Sequence, residues 1–342
     1  MSRSSCGTAR RRGSWGSRQG RRSGSSWDDG VTGVQGSLFR PARREPAVRV
    51  GPAGWNYKDW EGIVYPAGAG RRFDPLAYLA DYFDTIEINS SFYGPPRPAD
   101  AASWARRARN NPRFRFTAKV WQRLTHERDK LDAATLVEAA DEVRRSMAPL
   151  AEAGLLGALL VQFPWSFRNT PENEEYLGEL FRALSEFRLA VEVRHAEWND
   201  ELFFDLLREH GVAFCNVDQP VIGESLRPSA RVTSSIGYFR MHGRNYRTWF
   251  QEQAGRDARY DYLYTSKEIA QVAALVRTVQ SSAEETYVIT NNHFRGQAVV
   301  NAIEIVAELG GEPPAVPPVL AAAYPRLVQS PAGPVDPAGG QP

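Results

Sequence analysis

Two hydrophobic rhythms alternate along the chain. Short apolar or alternating runs lie at 47–51, 85–92, 113–120, 156–163, 188–195, 212–218, 236–243 and 285–292. In the second of these, Ile86 and Ile88 alternate with Glu87 and Asn89. That is the two-residue period of a strand whose faces see different surroundings. Between most of these runs the apolar positions recur every three or four residues, at 75–83, 99–109, 133–153, 172–184, 200–210 and 266–280, and again after the last run at 297–309. In 133–153, Leu136, Val137, Ala140, Val143 and Met147 form one stripe, with Glu138, Asp141, Glu142, Arg144 and Arg145 outside it. Only the connection 219–235 lacks a helical period. Eight strands alternating with helices predict an α/β fold, a parallel sheet closed into a single (β/α)8 barrel rather than an open doubly wound sheet.

Composition separates the ends from this rhythm. Residues 1–46 carry ten Arg and three acidic residues, a charge of +7; the whole chain is +2, so the remainder is −5. That stretch is rich in Arg, Gly and Ser and poor in large apolar residues, which predicts a disordered tail. The barrel is expected over 47–312, and 313–342 reads as a loosely attached Pro- and Ala-rich end. Gln35-Gly36-Ser37-Leu38-Phe39 resembles the short peptides with which bacterial DNA-maintenance proteins dock onto the sliding clamp. Gln35, Leu38 and Phe39 would make that contact. The cysteines, Cys6 and Cys215, give neither a disulfide framework nor a CxxC metal signature. No apolar run reaches spanning length and the N-terminus lacks a signal-peptide core, so the expected setting is the cytoplasm, away from membranes.

A barrel of this kind carries its chemistry at the C-terminal ends of the strands, on the residues pointing inward. Taking the more polar parity of each strand selects Glu87 and Asn89, Arg115, Thr117 and Lys119, Gln162, Glu192 and Arg194, Asn216 and Asp218, Arg240 and His242, and Asn291. Buried charges must pair, reach water or bind a ligand. Glu87 and Glu192 are the candidate acid and base, Lys119 a base or Schiff-base nucleophile, and Asp218 a tuning group or nucleophile. His242 is a further proton carrier. Gly243-Arg244 after the seventh strand and Asn291-Asn292 before the last helix form a candidate anion site. Arg194, Arg240, Arg244 and Asn291 would hold negative charge there. Aromatic residues crowd the strand-end loops, among them Trp55, Tyr93, Trp165 and Trp249, and 244–265 is a candidate lid. The strand-end histidines His195, His242 and His293 lack paired metal-ligand spacing. No cofactor or metal is expected, with a carboxylate-bound Mg2+ as the alternative.

With these residues in place, the chain resembles the YecE-like family, known as domain of unknown function 72, over roughly 48–310. The resemblance is carried by Val50-Gly51-Pro52-Ala53-Gly54-Trp55 with Trp60 and Tyr65-Pro66, by Glu87-Ile88-Asn89-Ser90-Ser91-Phe92-Tyr93, and by Phe116-Thr117-Ala118-Lys119 with Thr125-His126. It continues through Leu160-Val161-Gln162-Phe163-Pro164, Glu192-Val193-Arg194-His195 with Trp198, Tyr238-Phe239-Arg240-Met241-His242-Gly243-Arg244, Tyr262-Leu263-Tyr264, and Asn291-Asn292 with Gly296 and Asn301-Ala302. The resemblance implies a TIM-type barrel and leaves the activity open.

The preferred reading is acid–base chemistry of hydrolase, lyase or isomerase type on a small polar or anionic substrate, a sugar or nucleotide derivative. Trp55, Asn89, Tyr93, Gln162, Arg194, Arg240, Arg244, Asn291 and Asn292 would bind it. A DNA- or RNA-processing factor recruited through the basic tail, and a ligand-binding module without turnover, are the alternatives.

Overall fold

The computed structural model describes residues 47–249, 258–310 and 315–329; the predicted tail, its clamp-like peptide and the centre of the predicted lid lie outside them. Eight parallel strands follow one another around a single sheet: β1 (Ala47–Pro52), β2 (Thr85–Ile88), β3 (Arg115–Lys119), β4 (Leu156–Gln162), β5 (Leu189–Glu192), β6 (Ala213–Asp218), β7 (Ile236–Met241) and β8 (Glu285–Thr290). Their order is β1-β8-β7-β6-β5-β4-β3-β2. The seam between β1 and β2 is joined by a parallel bridge from Ala53 to Glu87, with the Gly54 amide donating to the Glu87 carbonyl at 2.9 Å. The predicted (β/α)8 barrel is the fold of the chain.

Helices lie between the strands: α1 (Pro75–Ala80), α2 (Pro98–Ala108), α3 (Ala133–Glu152), α4 (Pro171–Ala183), α5 (Glu201–Glu209), α6 (Ser266–Gln280) and α7 (Gln297–Glu308). Their starts are written in the sequence. Asp74 accepts from the Leu76 and Ala77 amides ahead of Pro75, and Asp132 with Thr135, and Thr265 with Glu268, form capping boxes. Most strands are shorter than the periodicity predicts, β2 and β5 by the most. After Ile88 and after Glu192 the chain turns into 3-10 segments, Ser90–Phe92 and Ala196–Trp198, which bring side chains over the barrel mouth.

The helix-free connection 219–235 is confirmed, and it explains one misreading. Register carries a single face around the sheet through the pairs Glu87–Thr117, Lys119–Leu160, Gln162–Glu192, Ala190–Ala213, Val217–Arg240 and Arg240–Ile289. Arg240 bonds both Glu87 and Glu192, so this face is the interior. On β6 it consists of Ala213, Cys215 and Val217. Asn216 and Asp218, chosen from sequence as inward, therefore point outward. Asn216 is fully buried there. Its amide donates to the Arg231 carbonyl at 2.9 Å, and its oxygen accepts from the Arg231 amide and the Ser229 hydroxyl at 2.8 and 2.7 Å. One side chain thus satisfies loop backbone that a helix would have satisfied internally.

The end predicted to be loose is partly packed. Two short helices, α8 (Pro318–Ala323) and α9 (Arg326–Gln329), follow α7, and Leu320 is fully buried in the core. Arg326 donates to the Tyr264 carbonyl at 2.8 Å and to Glu304 at 2.7 Å.

At the seam β1 runs so close to β2 that a Cβ added at Gly51 would stand 1.8 Å from the Thr85 carbonyl oxygen. Backbone on both sides leaves no flexible atom to yield. Gly51→Ala should therefore cost about 3 kcal/mol or more in denaturant unfolding; a loss below about 1 kcal/mol would mean the seam is not this tight.

Candidate active site

The strand ends surround a cavity of about 860 Å³. Its floor is an ion cluster centred on Arg240, which is 2% exposed. From β7 the guanidinium crosses the barrel and donates to Glu87 of β2 at 2.7 Å and to Glu192 of β5 at 2.6 Å. Tyr238 donates to the other Glu87 oxygen at 3.1 Å, and Arg194 donates twice to Glu192, at 3.0 and 2.8 Å. Both carboxylates are fully buried. Burial alone would push the Glu192 carboxyl up, but Arg240 and Arg194 outweigh it and hold the group well below its usual range. Burial works against the Arg240 charge as well, and Glu192 and Glu87 overcome it.

Lys119 projects from the end of β3 beside this cluster. Its Nζ donates to Gln162 Oε1 at 2.8 Å and stands 4.0 Å from the centre of the Phe92 ring. Two guanidiniums already balance the two carboxylates, so this ammonium is surplus charge in a poorly hydrated place. Burial first, and then Arg240 and Arg194, push its pKa down to about 7. A free amine is then populated at neutral pH, where an ordinary lysine carries almost none.

His242 also stands over the cluster. Asn291 Nδ2 lies 3.0 Å from its Nδ1, and its Nε2 is 3.3 Å from Glu192 Oε1, off the line of a formed hydrogen bond. Burial, reinforced by Arg194 and Arg240, pushes the imidazole down to about 3 against the pull of Glu192, so it is neutral. With Asn291 donating, the Nδ1 lone pair accepts and the proton sits on Nε2.

The predicted residues divide cleanly. Trp55, Asn89, Tyr93, Lys119, Gln162, Arg194, Arg240 and Asn291 line the cavity. Glu87 and Glu192 do not; they sit behind Arg240, and neither is placed to exchange protons with a ligand. Asp218, Arg244 and Asn292 lie outside it. Arg244 clamps Asp218 through Nε at 2.9 Å and Nη2 at 2.6 Å, and the Tyr264 hydroxyl donates to Asp218 at 2.7 Å. Asn292 donates to the Tyr262 carbonyl and to Asn301, at 2.8 and 2.7 Å. These three fasten the segment after β7 to the barrel wall, and the proposed anion site at Arg244 is an ion pair instead. Arg115, at the opposite end of β3, donates to the Phe114 and Pro112 carbonyls.

Residues that strand parity could not select also reach the cavity. Gln122 and His126 come from the loop after β3, Asn56 and Tyr57 from the loop after β1, and Trp249, Arg259 and Tyr260 from the segment after β7. His126 packs edge-on to Phe92 at 4.9 Å, and burial together with Lys119 pushes it down to about 4. The His293 ring stacks on Tyr57 at 4.6 Å and 13°. Among the described residues no group of three or more His, Cys, Asp or Glu is placed to hold a metal ion. A Mg2+ held by Glu87 and Glu192 does not fit, because their oxygens face Arg240, Arg194 and Tyr238.

This arrangement, charged barrel and aromatic rim together, can be compared with known proteins. A family model described as "Protein of unknown function DUF72" matches residues 49–325. The chain belongs to the DUF72 family. A solved DUF72 protein from Thermotoga maritima is 33% identical, with the match covering 77% of this chain and 99% of that one at a TM-score of 0.68. Another from Enterococcus faecalis is 27% identical, covering 78% of this chain and 96% of that one, also at 0.68. No curated protein matches. No described helix is long and apolar enough to cross a membrane.

The placement of Asp218 is testable. Asp218→Asn weakens charge-assisted bonds from Arg244 and should cost roughly 2 kcal/mol of stability, while the Lys119 titration stays where it is. A displaced Lys119 midpoint in this variant, read by NMR, would return Asp218 to the site.

Proposed function

We propose that this DUF72 protein is a cytoplasmic barrel enzyme in which the neutral amine of Lys119 acts as the base, or nucleophile, on a small polar or anionic substrate held in the cavity. The observation that carries this reading is a single half-buried amine, depressed to about 7, at the wall of a cavity whose described lining contains no Asp or Glu. A base titrating near the working pH is both available and strong enough to take a proton. Gln162 orients Nζ, and Arg194 stands ready to meet negative charge that develops when the proton leaves. Glu192 and Glu87 pair with the two arginines and hold them in place, and the arginines in turn keep Lys119 from holding its proton.

Amine-specific labelling of the full-length chain, followed by peptide mapping across pH, tests this. Lys119 should react with a midpoint near pH 7, whereas an ordinary amine waits until about 10.4. A midpoint near 10 at Lys119 would remove the base.

Stability gives a second check, with a definite sign. Between pH 7 and about 10 the unfolded chain binds a proton at this lysine that the folded chain has lost, so this group makes stability rise with pH across that window. Lys119→Met should abolish that rise in denaturant titrations at pH 7 and pH 9. An unchanged pH dependence would contradict it.

A further inference from the structure

We propose that the cavity takes an anionic carbohydrate, a sugar carrying a carboxylate or a phosphate. The proposal rests on the reading of Lys119 as the reacting group and names what that group acts on. Its first support is the polar complement of the walls. Asn56, Asn89, Gln122, Gln162 and Asn291 all line the cavity. A carboxamide carries a donor and an acceptor at once, as a sugar hydroxyl does; Gln162 spends both on Lys119 and the Phe163 carbonyl, and Asn291 Nδ2 is taken by His242, which leaves Asn56, Asn89 and Gln122 as the main groups to meet a ligand. The five carboxamides come from five neighbouring strands, after β8, β1, β2 and β3 and at the end of β4, so they form one continuous polar arc of the rim. An apolar ligand would leave Asn56, Asn89 and Gln122 without a partner on its side, and a compact inorganic anion would reach too few of them.

The second support is the shape of the apolar surface. Tyr57, His293 and Tyr260 pack against one another, with ring centres 4.6 and 5.1 Å apart, and back one side of the cavity, while Tyr93 and Trp165 stand exposed in its lining. Flat aromatic faces bury the C–H face of a sugar ring while the hydroxyls at its edge reach the carboxamides.

The third support is charge. Arg194 and Arg240 reach the cavity with their counter-ions behind them, and no Asp or Glu stands in the described lining, so a ligand meets a surplus of positive charge there even with the Lys119 amine neutral. A neutral sugar would meet that surplus with nothing to offset it. An anionic group on the sugar both neutralises it and is drawn to the wall where the amine waits.

Calorimetry and thermal shift on the full-length chain test the proposal with glucuronate, galacturonate, glucose 6-phosphate, fructose 6-phosphate, glucose, inorganic phosphate and AMP. A sugar acid or sugar phosphate should raise Tm saturably and bind at least tenfold tighter than glucose or inorganic phosphate; whichever of the two anion types binds identifies the carboxylate or the phosphate. Asn89→Asp, which puts a carboxylate into the lining, should weaken that ligand at least tenfold. Tighter binding of AMP, equal binding of glucose, or no binding by any of the sugars would overturn the ligand class. In each of those cases a Lys119 amine still titrating near pH 7 would leave the base in place, so the two readings fail separately.

Discussion

One guanidinium organises the interior of this barrel. Arg240 stands at the centre of the strand ends and bonds a carboxylate from each of two strands on the far side, Glu87 and Glu192, all three removed from solvent. A buried charge without a partner costs several kcal/mol, so each of the three requires the others. The cluster fixes the separation of β2, β5 and β7 at the height where the cavity begins. Tyr238 and Arg194 complete the pairing, and the layer below is filled by Tyr238 and Tyr287. In the proposed reading, the chemistry falls to the cation that this layer leaves without a carboxylate of its own.

That residue is Lys119. The cluster is electroneutral by itself, two guanidiniums against two carboxylates, so a third cation at its edge finds no carboxylate to itself and binds its proton weakly. His242, which the sequence offered as a proton carrier, is driven the other way from usefulness: burial keeps it neutral down to about 3, and its role is to hold Asn291 in place. The segment after β7 is fastened from outside by Asp218, Arg244 and Tyr264, so it and the cavity floor depend on separate ion pairs.

The barrel itself could be read from periodicity because both rhythms are regular and long, and because caps such as Asp132-Thr135 sit where the helical period begins. Eight of the fourteen predicted site residues reach the cavity. The misreadings on β6 share one cause. Choosing the more polar parity assumes that polar residues on a strand face the site, and on β6 they face outward instead, because the connection after β6 has no helix and Asn216 and Asp218 serve its backbone and the lid. The sequence holds a trace of this, since 219–235 is visibly without a helical period. Glu87 and Glu192 were rightly placed inside, but sequence carries no information about depth, and a carboxylate behind an arginine looks the same as one in front of it. Gln122, His126 and Tyr260 belong to loops, where no period reports direction.

The most direct measurement is the unfolding free energy of the full-length chain carrying Arg240→Met alone and Arg240→Met combined with Glu87→Gln and Glu192→Gln. If the two carboxylates exist for Arg240 and it for them, the single variant loses on the order of 3–5 kcal/mol, the cost of orphaned buried charge, and the triple variant regains most of it. Losses that simply add from one substitution to the next would contradict the ion cluster as the constraint on which the site is built.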